Sequence, residues 1–587
     1  MFSYQPPVKH MQYVLSDVLS ATDTLRVDAG YNEIDEQLVR QVLEEAGRFT
    51  AEVLFPVNAS GDRQGCRFES GAVFTPDGFR DAYRQFVDSG WAALACDPGY
   101  GGQGLPHVLN CALQEMMISA NHAWTMYPGV LHGAYTCLKA HGSEELKQYY
   151  LPKIVSGEWL VTMALTEPQA GSDVGLLRTR AVEGDTGTYR LSGNKIFISG
   201  GEHDLTENIV HLVLARIPGG PEGSKGVSLF VVPKICPDGS RNQVTCTGIE
   251  HKMGIRGSAT CSLEFAGATG WLVGEPHRGL AAMFVMMNAA RMLVGAQGLG
   301  IAETVYQNAA RYANERLQMK AVDRPAERKD QPADPIALHP PVRRLLLSQR
   351  AYVEGGRMML YWSGLMLDLA ERHPIPQRRQ DFEQMLALVT PVVKAFLTEK
   401  GFQGASDALQ VYGGYGVITE TGVEQYLRDC RVTMIYEGTN EIQAIDLVVR
   451  KILGDQGVRL GRFLELVRAT VQAERTGPFA GHSECLSKLA TELAAIARAV
   501  CESGTANLTP LHWVAGDVLR LMGHCIIGWL LLRSASASCN NREDDYAFHD
   551  ERLETVDHYF AYEFTETHAA LAVLRASFAQ HGLSLTW

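Results

Sequence analysis

Apolar residues recur at helical spacing in the first part of the chain and at strand spacing further on. Phe79, Tyr83 and Phe86 would share one side of a helix, because positions i, i+4 and i+7 lie on the same face. From about residue 161, short runs of β-branched and aromatic residues alternate with turn residues, as in residues 209–216 and 226–233. The patterns predict a helical region followed by a β-barrel or β-sandwich.

Helical periodicity returns after Gly279. Helices are predicted at residues 280–318, 342–371, 381–412, 423–430 and 439–453. Residues 320–341 are rich in proline and predict a loop. Long antiparallel helices of this kind are typical of a four-helix bundle. Beyond residue 454, helices without any chemical motif are predicted at residues 460–474, 485–504, 511–534 and 551–581.

The patterns define an α+β multidomain protein, since 587 residues are too many for one hydrophobic core. Its parts are a helical N-terminal domain, a β-barrel or β-sandwich middle domain, a C-terminal four-helix bundle and an appended C-terminal helical domain. Pro6 and Pro7 predict an extended start to an N-terminal arm, and helical spacing follows at residues 11–19. The arm is expected to lie across another part of the protein. The predicted boundaries are 1–34 for the arm, then 35–160, 161–275, 276–453 and 454–587.

Charge and cysteine content exclude several classes of protein. The net charge of −13 argues against a general nucleic-acid surface, which needs clustered lysine and arginine. We expect no integral membrane segment, because no uninterrupted apolar run reaches ~18 residues. The twelve cysteines never occur as Cys-x-x-Cys, so we expect free thiols in a reducing compartment and no metal site. With no secretory or transit pattern at the N-terminus, a cytoplasmic location is expected.

One carboxylate stands out in residues 435–443. Glu437 follows the apolar pair Ile435 and Tyr436 and precedes a helix start at Gly438 and Thr439. Apolar neighbours favour the protonated form of a carboxyl group, whereas the positive end of a helix favours the carboxylate. The two influences oppose each other, and either can dominate. In this setting Glu437 is a candidate for a catalytic base.

Five motifs in order along the chain carry a resemblance to a known family. They are residues 163–173, 195–201, 314–318, 410–414 and 435–439. Together they resemble the acyl-CoA dehydrogenases over roughly residues 35–453. The N-terminal arm, the proline-rich insert and the C-terminal extension resemble the larger bacterial subgroup, whose members act on 3-methylmercaptopropionyl-CoA or on fatty acyl-CoAs.

The resemblance implies non-covalent FAD and α,β-dehydrogenation of an acyl-CoA thioester to the trans-2-enoyl-CoA. It assigns removal of the α-proton to Glu437 and transfer of the β-hydride to flavin N5. The electrons would pass to electron-transfer flavoprotein, and a homodimer or a dimer of dimers is expected. In a few branches the base precedes an arginine on the first bundle helix. The matching residue before Arg291 is Ala290, which cannot take a proton.

The resemblance also assigns binding residues. For FAD they are Met163, Leu165, Thr166, Ser172, Phe197, Ser199, Arg316, Gln318, Gln410, Gly413, Gly414, Thr439 and Glu441. For the substrate they are Ser172, Arg291, Tyr436 and Gly438. Arg316, Gln318 and the 410–414 motif would serve the FAD of the neighbouring subunit. Position 197 is usually tryptophan, and phenylalanine keeps the ring face but lacks the indole donor.

Several alternatives stay open at this point. An acyl-CoA oxidase would share the motifs, as would a family member that binds FAD and nucleic acid without efficient dehydrogenation. The substrate could be a medium or long fatty acyl-CoA or a short thioether acyl-CoA. Arg291 could form an internal salt bridge, Arg316 could be a surface charge, and Gly413 and Gly414 a plain turn. Residues 121–127 could be helix core or an acyl-chain wall.

Overall fold

Helices make up most of this computed structural model, which describes residues 2–505 and 507–581. In these residues the α-helices are α1 (Val8–Tyr13), α2 (Ala21–Asp28), α3 (Glu36–Phe49), α4 (Asn58–Gln64), α5 (Phe79–Asp88), α6 (His107–Thr125), α7 (Leu131–His141), α8 (Glu144–Val155), α9 (Gly279–Glu315), α10 (Pro340–Arg372), α11 (Pro376–Tyr412), α12 (Val423–Arg431), α13 (Asn440–Ile445), α14 (Val458–Ala473), α15 (Ala480–Ser503), α16 (Thr509–Asn540), α17 (Tyr546–His558) and α18 (Glu566–Gln580). The strands are β1 (Arg67–Glu69), β2 (Ala72–Phe74), β3 (Leu160–Ala164), β4 (Arg180–Glu183), β5 (Thr188–Ser199), β6 (Ile209–Arg216), β7 (Val227–Pro233), β8 (Val244–Ile249) and β9 (Thr260–Val273).

The middle of the chain forms a closed β-barrel. Strand β6 pairs with β4, β4 with β5, β5 with β9, β9 with β7, and β7 pairs back with β6. Strand β3 extends the sheet in parallel beside β6, and β8 pairs with β9. Strands β6 and β7 are buried along almost their whole length, so both of their faces are covered, which explains their largely continuous apolar sequence. Of the two predicted architectures, barrel and sandwich, the structure has the barrel.

The bundle helices approach one another through glycine. A Cβ atom at Gly298 of α9 would lie 2.3 Å from the carbonyl oxygen of Leu397 in α11, and one at Gly401 would lie 2.4 Å from the carbonyl oxygen of Gly298. Only glycine allows two helix backbones to come this close. Helix α10 also packs along α11, and the short α13 packs on α11. The predicted bundle of long helices is therefore confirmed.

The predicted elements differ from the observed ones in a few places. Residues 551–581 were predicted as one helix, which is wrong: a π-helical segment, Tyr559–Glu563, separates α17 from α18. There the N–H of Phe564 donates to the carbonyl oxygen of Tyr559 at 2.8 Å, five residues back. Strands β1, β2, β3, β4 and β8 are not predicted from the sequence as separate runs. The predicted loop at 320–341 contains two short 3₁₀ turns, Ala326–Arg328 and Ile336–Leu338.

The N-terminal arm lies across the bundle, as predicted. The backbone N–H of Ser3 donates to Asn308 Oδ1 at 3.0 Å, and that of Gln5 donates to Gln307 Oε1 at 3.1 Å. The ring of Phe2 stacks on Tyr426 with centroids 5.1 Å apart. The arm is thus fixed to α9 and α12 by main-chain and aromatic contacts.

The chain separates into two compact units. One comprises the described residues of Met1–Gly47, Pro106–Ser119 and Val294–Trp587, and it contains the arm, most of the bundle and the C-terminal helices. The other comprises Arg48–Leu105 and Ala120–Leu293, and it contains the barrel. The five domain boundaries drawn from sequence stay predictions.

Among the residues that the structure describes, two helices are long and apolar enough to cross a membrane by length and composition alone, Gly279–Glu315 and Thr509–Asn540. In the most apolar stretch of the second, 83% of the residues are buried inside the protein. A core helix has this same composition, so the property is weak evidence for a membrane span. No group of three metal-ligating side chains occurs in the part of the chain that the structure describes.

A buried cation joins four distant segments of the first unit. Arg357 on α10 is 1% exposed and donates to Glu115 of α6 at 2.6 and 2.9 Å, and it also donates to Glu303 of α9. Its Nη1 lies 2.6 Å from Nδ1 of His10 on α1. Burial lowers the pKa of His10 well below its usual value, and the charge of Arg357 acts in the same direction. His10 is therefore neutral and accepts from the guanidinium.

We expect Arg357→Met to lower the free energy of unfolding by about 3–5 kcal/mol, because Glu115 and Glu303 would stay buried without their cation. Thermal denaturation of the FAD-loaded protein measures the effect. Arg84→Met is the matched control, since Arg84 pairs with Asp81 on the surface with both side chains more than 60% exposed. Equal melting temperatures for the two variants would contradict the role of Arg357.

Candidate active site

Glu437 occupies a left-handed turn between α12 and α13. Its φ is +57° and that of the next residue, Gly438, is +82°. A non-glycine residue adopts this conformation at a cost of roughly 1–2 kcal/mol, and such residues cluster at functional sites. Thr439 then caps α13 by accepting from the backbone N–H of Ile442 at 3.4 Å. Glu437 therefore lies one turn before a helix N-terminus, half-buried.

Side chains on both sides of Glu437 are held by polar contacts. Tyr436 donates its hydroxyl hydrogen to Gln297 Oε1 of α9. Burial raises the pKa of Tyr436 well above its usual value, and the nearby charge of Glu437 adds to the shift. The pKa of Glu441 in the first turn of α13 is lowered by its own backbone N–H and by the Thr439 hydroxyl. The helix start thus favours carboxylates in this turn.

A buried lysine anchors the beginning of α13 to α11. Lys394 is 0% exposed, and its ammonium donates to Oδ1 of Asn440 at 2.9 Å. The Asn440 amide donates in turn to the carbonyl oxygen of Ala395 at 3.1 Å. Both contacts connect the residue after Thr439 to the middle of α11. The turn that carries Glu437 is therefore attached to the bundle core.

A cavity of about 440 Å³ opens beside the end of α11. Its lining residues are Tyr312, Arg316, Gln318, Ile336, Val411, Tyr412, Gly413, Gly414, Tyr415 and Ile418. Gly413 has a φ of +60°, and no atom lies within 4 Å of where a Cβ would stand at Gly413 or Gly414. The glycines leave the main chain open to the cavity. The structure therefore brings four of the predicted FAD residues together, Arg316, Gln318, Gly413 and Gly414.

The proline-rich insert holds two of these residues in place. Gln318 donates its backbone N–H to the carbonyl oxygen of Asp334 at 3.0 Å, and Ile336 donates to that of Arg316 at 2.8 Å. The Asp334 carboxylate, 0% exposed, accepts from Arg324 at 3.0 Å and from Arg328 at 2.9 Å. A buried carboxylate thus organises the insert that sequence describes only as a loop.

The chemistry of the cavity fits the adenosine diphosphate half of FAD. A guanidinium at Arg316 and exposed main chain at Gly413 and Gly414 suit a pyrophosphate. The stacked rings of Tyr312 and Tyr412, with centroids 4.3 Å apart, offer an aromatic wall. Gln410 lies on the exposed side of the last turn of α11 and does not line the cavity among the described residues.

The barrel brings the other flavin motifs together. Lys195 Nζ donates to the carbonyl oxygen of Leu165 at 2.8 Å, and the backbone N–H of Ile196 donates to that of Thr166 at 3.0 Å. The pairing of β5 with β9 is irregular between Lys195 and Ile198. Phe197 in this bulge has a φ of +58° and is 59% exposed. Met163, Leu165 and Thr166 therefore lie beside the segment that contains Phe197 and Ser199.

Glu167 fixes the loop that follows β3. Its carboxylate accepts from the backbone N–H groups of Arg178 at 2.7 Å and Thr179 at 3.0 Å, and from Lys195 Nζ at 2.8 Å. Burial alone would raise the pKa of Glu167, but the charge of Lys195 and these hydrogen bonds lower it to about 2. Ser172 is exposed within the loop that this carboxylate closes.

Two other predicted features have clear positions. Arg291 is 5% exposed on α9, directly after the buried Ala290, so it does not lie on the outer surface. Trp124 is 0% exposed, donates its indole N–H to the carbonyl oxygen of Phe79 at 3.1 Å and packs edge-on against Phe86. For this tryptophan the structure supports the helix-core interpretation of residues 121–127.

Family models of acyl-CoA dehydrogenases match most of the chain. The N-terminal domain model matches residues 36–158, the middle domain model 162–268 and the C-terminal domain model 277–453. A model described as acetyl-CoA dehydrogenase C-terminal like matches residues 463–580.

Named relatives share nearly the full length. A 3-methylmercaptopropionyl-CoA dehydrogenase of Ruegeria pomeroyi is 44% identical over 544 residues, 91% of each chain. The broad-specificity linear acyl-CoA dehydrogenase FadE5 of Mycobacterium tuberculosis is 34% identical over 594 residues, 96% of each chain.

Among solved structures, Caenorhabditis elegans ACDH-11 in complex with C11-CoA has a TM-score of 0.78 at 20% identity, covering 98% of this chain and 96% of that one. The Bacillus anthracis acyl-CoA dehydrogenase complexed with FAD has a TM-score of 0.74 at 20% identity, covering 93% of this chain and 92% of that one.

The fold, the matched domains and these relatives show that the chain belongs to the acyl-CoA dehydrogenase family. Within the family it falls in the larger bacterial subgroup with the C-terminal extension. The protein is an FAD-dependent oxidoreductase that dehydrogenates an acyl-CoA.

Sequence reasoning did not assign a role to several residues that support the site. Glu167 and Lys195 belong to two of the motifs, but no signal in the sequence pairs a loop glutamate with a strand lysine 28 residues away. Gln297 and Lys394 lie on long helices, where nothing in the sequence indicates which turn they face.

We expect the Glu167 carboxylate to stabilise the protein in a pH-dependent manner. With a pKa of about 2 in the folded state and 4.5 as its ordinary value, the ionised form stabilises the fold above about pH 4.5. This contribution is lost as the pH falls towards about 2. The difference in melting temperature between the wild type and Glu167→Gln should therefore be full at neutral pH and shrink below about pH 4.5.

Glu183→Gln is the control, because Glu183 is exposed on β4 and the substitution removes the same charge. Its melting temperature should follow the wild type across the range. A difference in melting temperature between the wild type and Glu167→Gln that does not change with pH would contradict the low pKa assigned to Glu167.

Proposed function

We propose that Glu437 removes the α-proton of the acyl-CoA thioester and that the product is the trans-2-enoyl-CoA. The observation that carries the proposal is the left-handed conformation of Glu437, with a φ of +57°, at the start of a helix. Strain of this kind persists where surrounding contacts enforce it and a function requires the geometry. Ala290, at the alternative position for a base, supports the same assignment.

The α-proton of a thioester is only weakly acidic. Its removal by a carboxylate therefore requires a hydrogen-bond donor at the carbonyl oxygen, where negative charge develops. The backbone N–H of Glu437 would donate to that oxygen and stabilise the negative charge that develops there. Tyr436 and Gly438 would flank the acyl group. Ser172 and Arg291 would contact the CoA portion, for which Arg291 supplies a positive charge matched to phosphate.

The residues that would hold the cofactor are Met163, Leu165, Thr166, Ser172, Phe197, Ser199, Arg316, Gln318, Gln410, Gly413, Gly414, Thr439 and Glu441. When bound, FAD supplies the oxidant that accepts the β-hydride. The Glu167–Lys195 pair keeps the main chain at Leu165 in place for that binding.

The names of the relatives guide the choice of substrate and partner. One is named for 3-methylmercaptopropionyl-CoA and another for linear acyl-CoAs, so we take a short thioether acyl-CoA or a fatty acyl-CoA as substrate. Electron-transfer flavoprotein would accept the electrons. A homodimer or a dimer of dimers in the cytoplasm completes the proposal, with the 440 Å³ cavity serving the FAD of the neighbouring subunit.

Anaerobic flavin bleaching tests the base. We expect wild-type protein to be bleached by acyl-CoAs from a panel of chain lengths and by 3-methylmercaptopropionyl-CoA. Glu437→Gln should bind FAD but stay unbleached, because the amide cannot accept the α-proton. Glu420→Gln, an exposed glutamate in the same region, is the matched control and should be bleached normally. Normal bleaching of Glu437→Gln would overturn the mechanism.

Reoxidation of the bleached flavin separates a dehydrogenase from an oxidase. We expect the reduced enzyme, with product bound, to pass its electrons to added electron-transfer flavoprotein much faster than to dissolved oxygen. The measurement is the return of flavin absorbance after mixing with either acceptor, with hydrogen peroxide assayed in parallel. Rapid reoxidation by oxygen with stoichiometric peroxide would establish an oxidase instead.

A further inference from the structure

We propose that Gln443 is a positioning residue for proton abstraction, because its amide holds the main chain of Glu437 in the left-handed conformation. The inference rests on the proposed role of Glu437 as the base. It assigns the geometry of that base to a side chain six residues further along, on the second turn of α13.

The Gln443 amide contacts two successive carbonyl groups of the turn. Nε2 donates to the carbonyl oxygen of Glu437 at 3.0 Å and to that of Gly438 at 3.3 Å. These are the two adjacent residues with positive φ. The orientation of the amide follows from this environment, since a reversed amide would place its oxygen against two carbonyl oxygens. One NH₂ group therefore contacts the carbonyl groups of both residues with positive φ.

Gln443 itself has little freedom. It is 0% exposed, and its backbone N–H donates to the carbonyl oxygen of Thr439 at 3.0 Å. A Cβ at Gly438 would lie 2.7 Å from Gln443 Nε2, so the amide packs directly against the turn. Asn440, which lies between the N-cap residue Thr439 and Gln443, accepts a hydrogen bond from Lys394 in α11. The donor is consequently fixed to the bundle before any substrate binds.

This contact has a direct consequence for the reaction. The position of the Glu437 carboxylate and the direction of its backbone N–H both depend on the φ and ψ angles that Gln443 maintains. Without the donor, the turn can relax towards an ordinary conformation and move both groups. Displacement of a reacting group by about 1 Å costs on the order of a hundred-fold in rate. Gln443 thus acts on catalysis through Glu437 and not by touching the substrate.

Gln443→Met tests the inference, because methionine preserves length and apolar volume while removing the donor. We expect the rate constant for anaerobic flavin reduction, measured with saturating octanoyl-CoA in single turnover, to fall about a hundred-fold. FAD content, melting temperature and the KM for octanoyl-CoA should stay near wild-type values. Gln349→Met is the matched control, since Gln349 is 3% exposed and donates to a carbonyl oxygen within α10 at 3.1 Å.

A second variant shows whether a loss of rate in Gln443→Met is caused by the missing donor or by misfolding. Gln443→Leu also removes the donor and leaves an apolar side chain of similar volume, so it should show the same selective loss of rate. An unchanged rate in both variants overturns the inference, and so does a joint loss of FAD and thermal stability in both, which indicates a purely structural residue. Glu437→Gln measured alongside separates the two claims. If Glu437→Gln is inactive and Gln443→Met has the wild-type rate, only the proposed role of Gln443 is wrong. If Glu437→Gln is bleached normally, the proposed role of Glu437 as the base is wrong.

Discussion

The guanidinium of Arg357 is the contact on which the bundle unit depends. It donates hydrogen bonds to Glu115 and Glu303, which are both buried, and to His10 of the N-terminal segment. A charge buried without a partner costs several kcal/mol, so α6, α9 and α10 can meet only in the register that completes this cluster. The same α9 carries Gln297, the partner of Tyr436. The turn that carries Glu437 is therefore attached to a helix that the Arg357 cluster holds in place.

In each compact unit, a buried side-chain donor holds a main-chain segment that carries predicted site residues. In the barrel, the ammonium of Lys195 donates to the carbonyl oxygen of Leu165, and Glu167 balances its charge. In the bundle, the amide of Gln443 donates to the carbonyl oxygen of Glu437. Each donor is buried and fixed by neighbours, so the loops are preorganised even though loops are usually the mobile parts of a fold.

Periodicity predicts most of the elements because each long helix buries one face. The ends of α10 and α11 fall within a few residues of the prediction. The prediction of a single helix at 551–581 is wrong because apolar spacing does not distinguish an α-helix from the π-helical turn at Tyr559–Glu563, whose hydrogen bond spans five residues. Strand β4 is not predicted from the apolar pattern because only one of its four residues, Ala181, is buried. Short, polar elements owe their structure to neighbours and not to their own sequence.

The sequence by itself determined the order of the domains, the family and a set of motifs that includes Glu437, since these depend on residue type and spacing. Only the tertiary structure decided that Glu437 is left-handed, that Gln443 donates to its carbonyl oxygen, and that Arg316 and Gly413 share one cavity. It also decided that Asp334 organises the proline-rich insert. The reason is physical: which turn of a helix faces which carbonyl group is set by contacts between residues far apart in the chain.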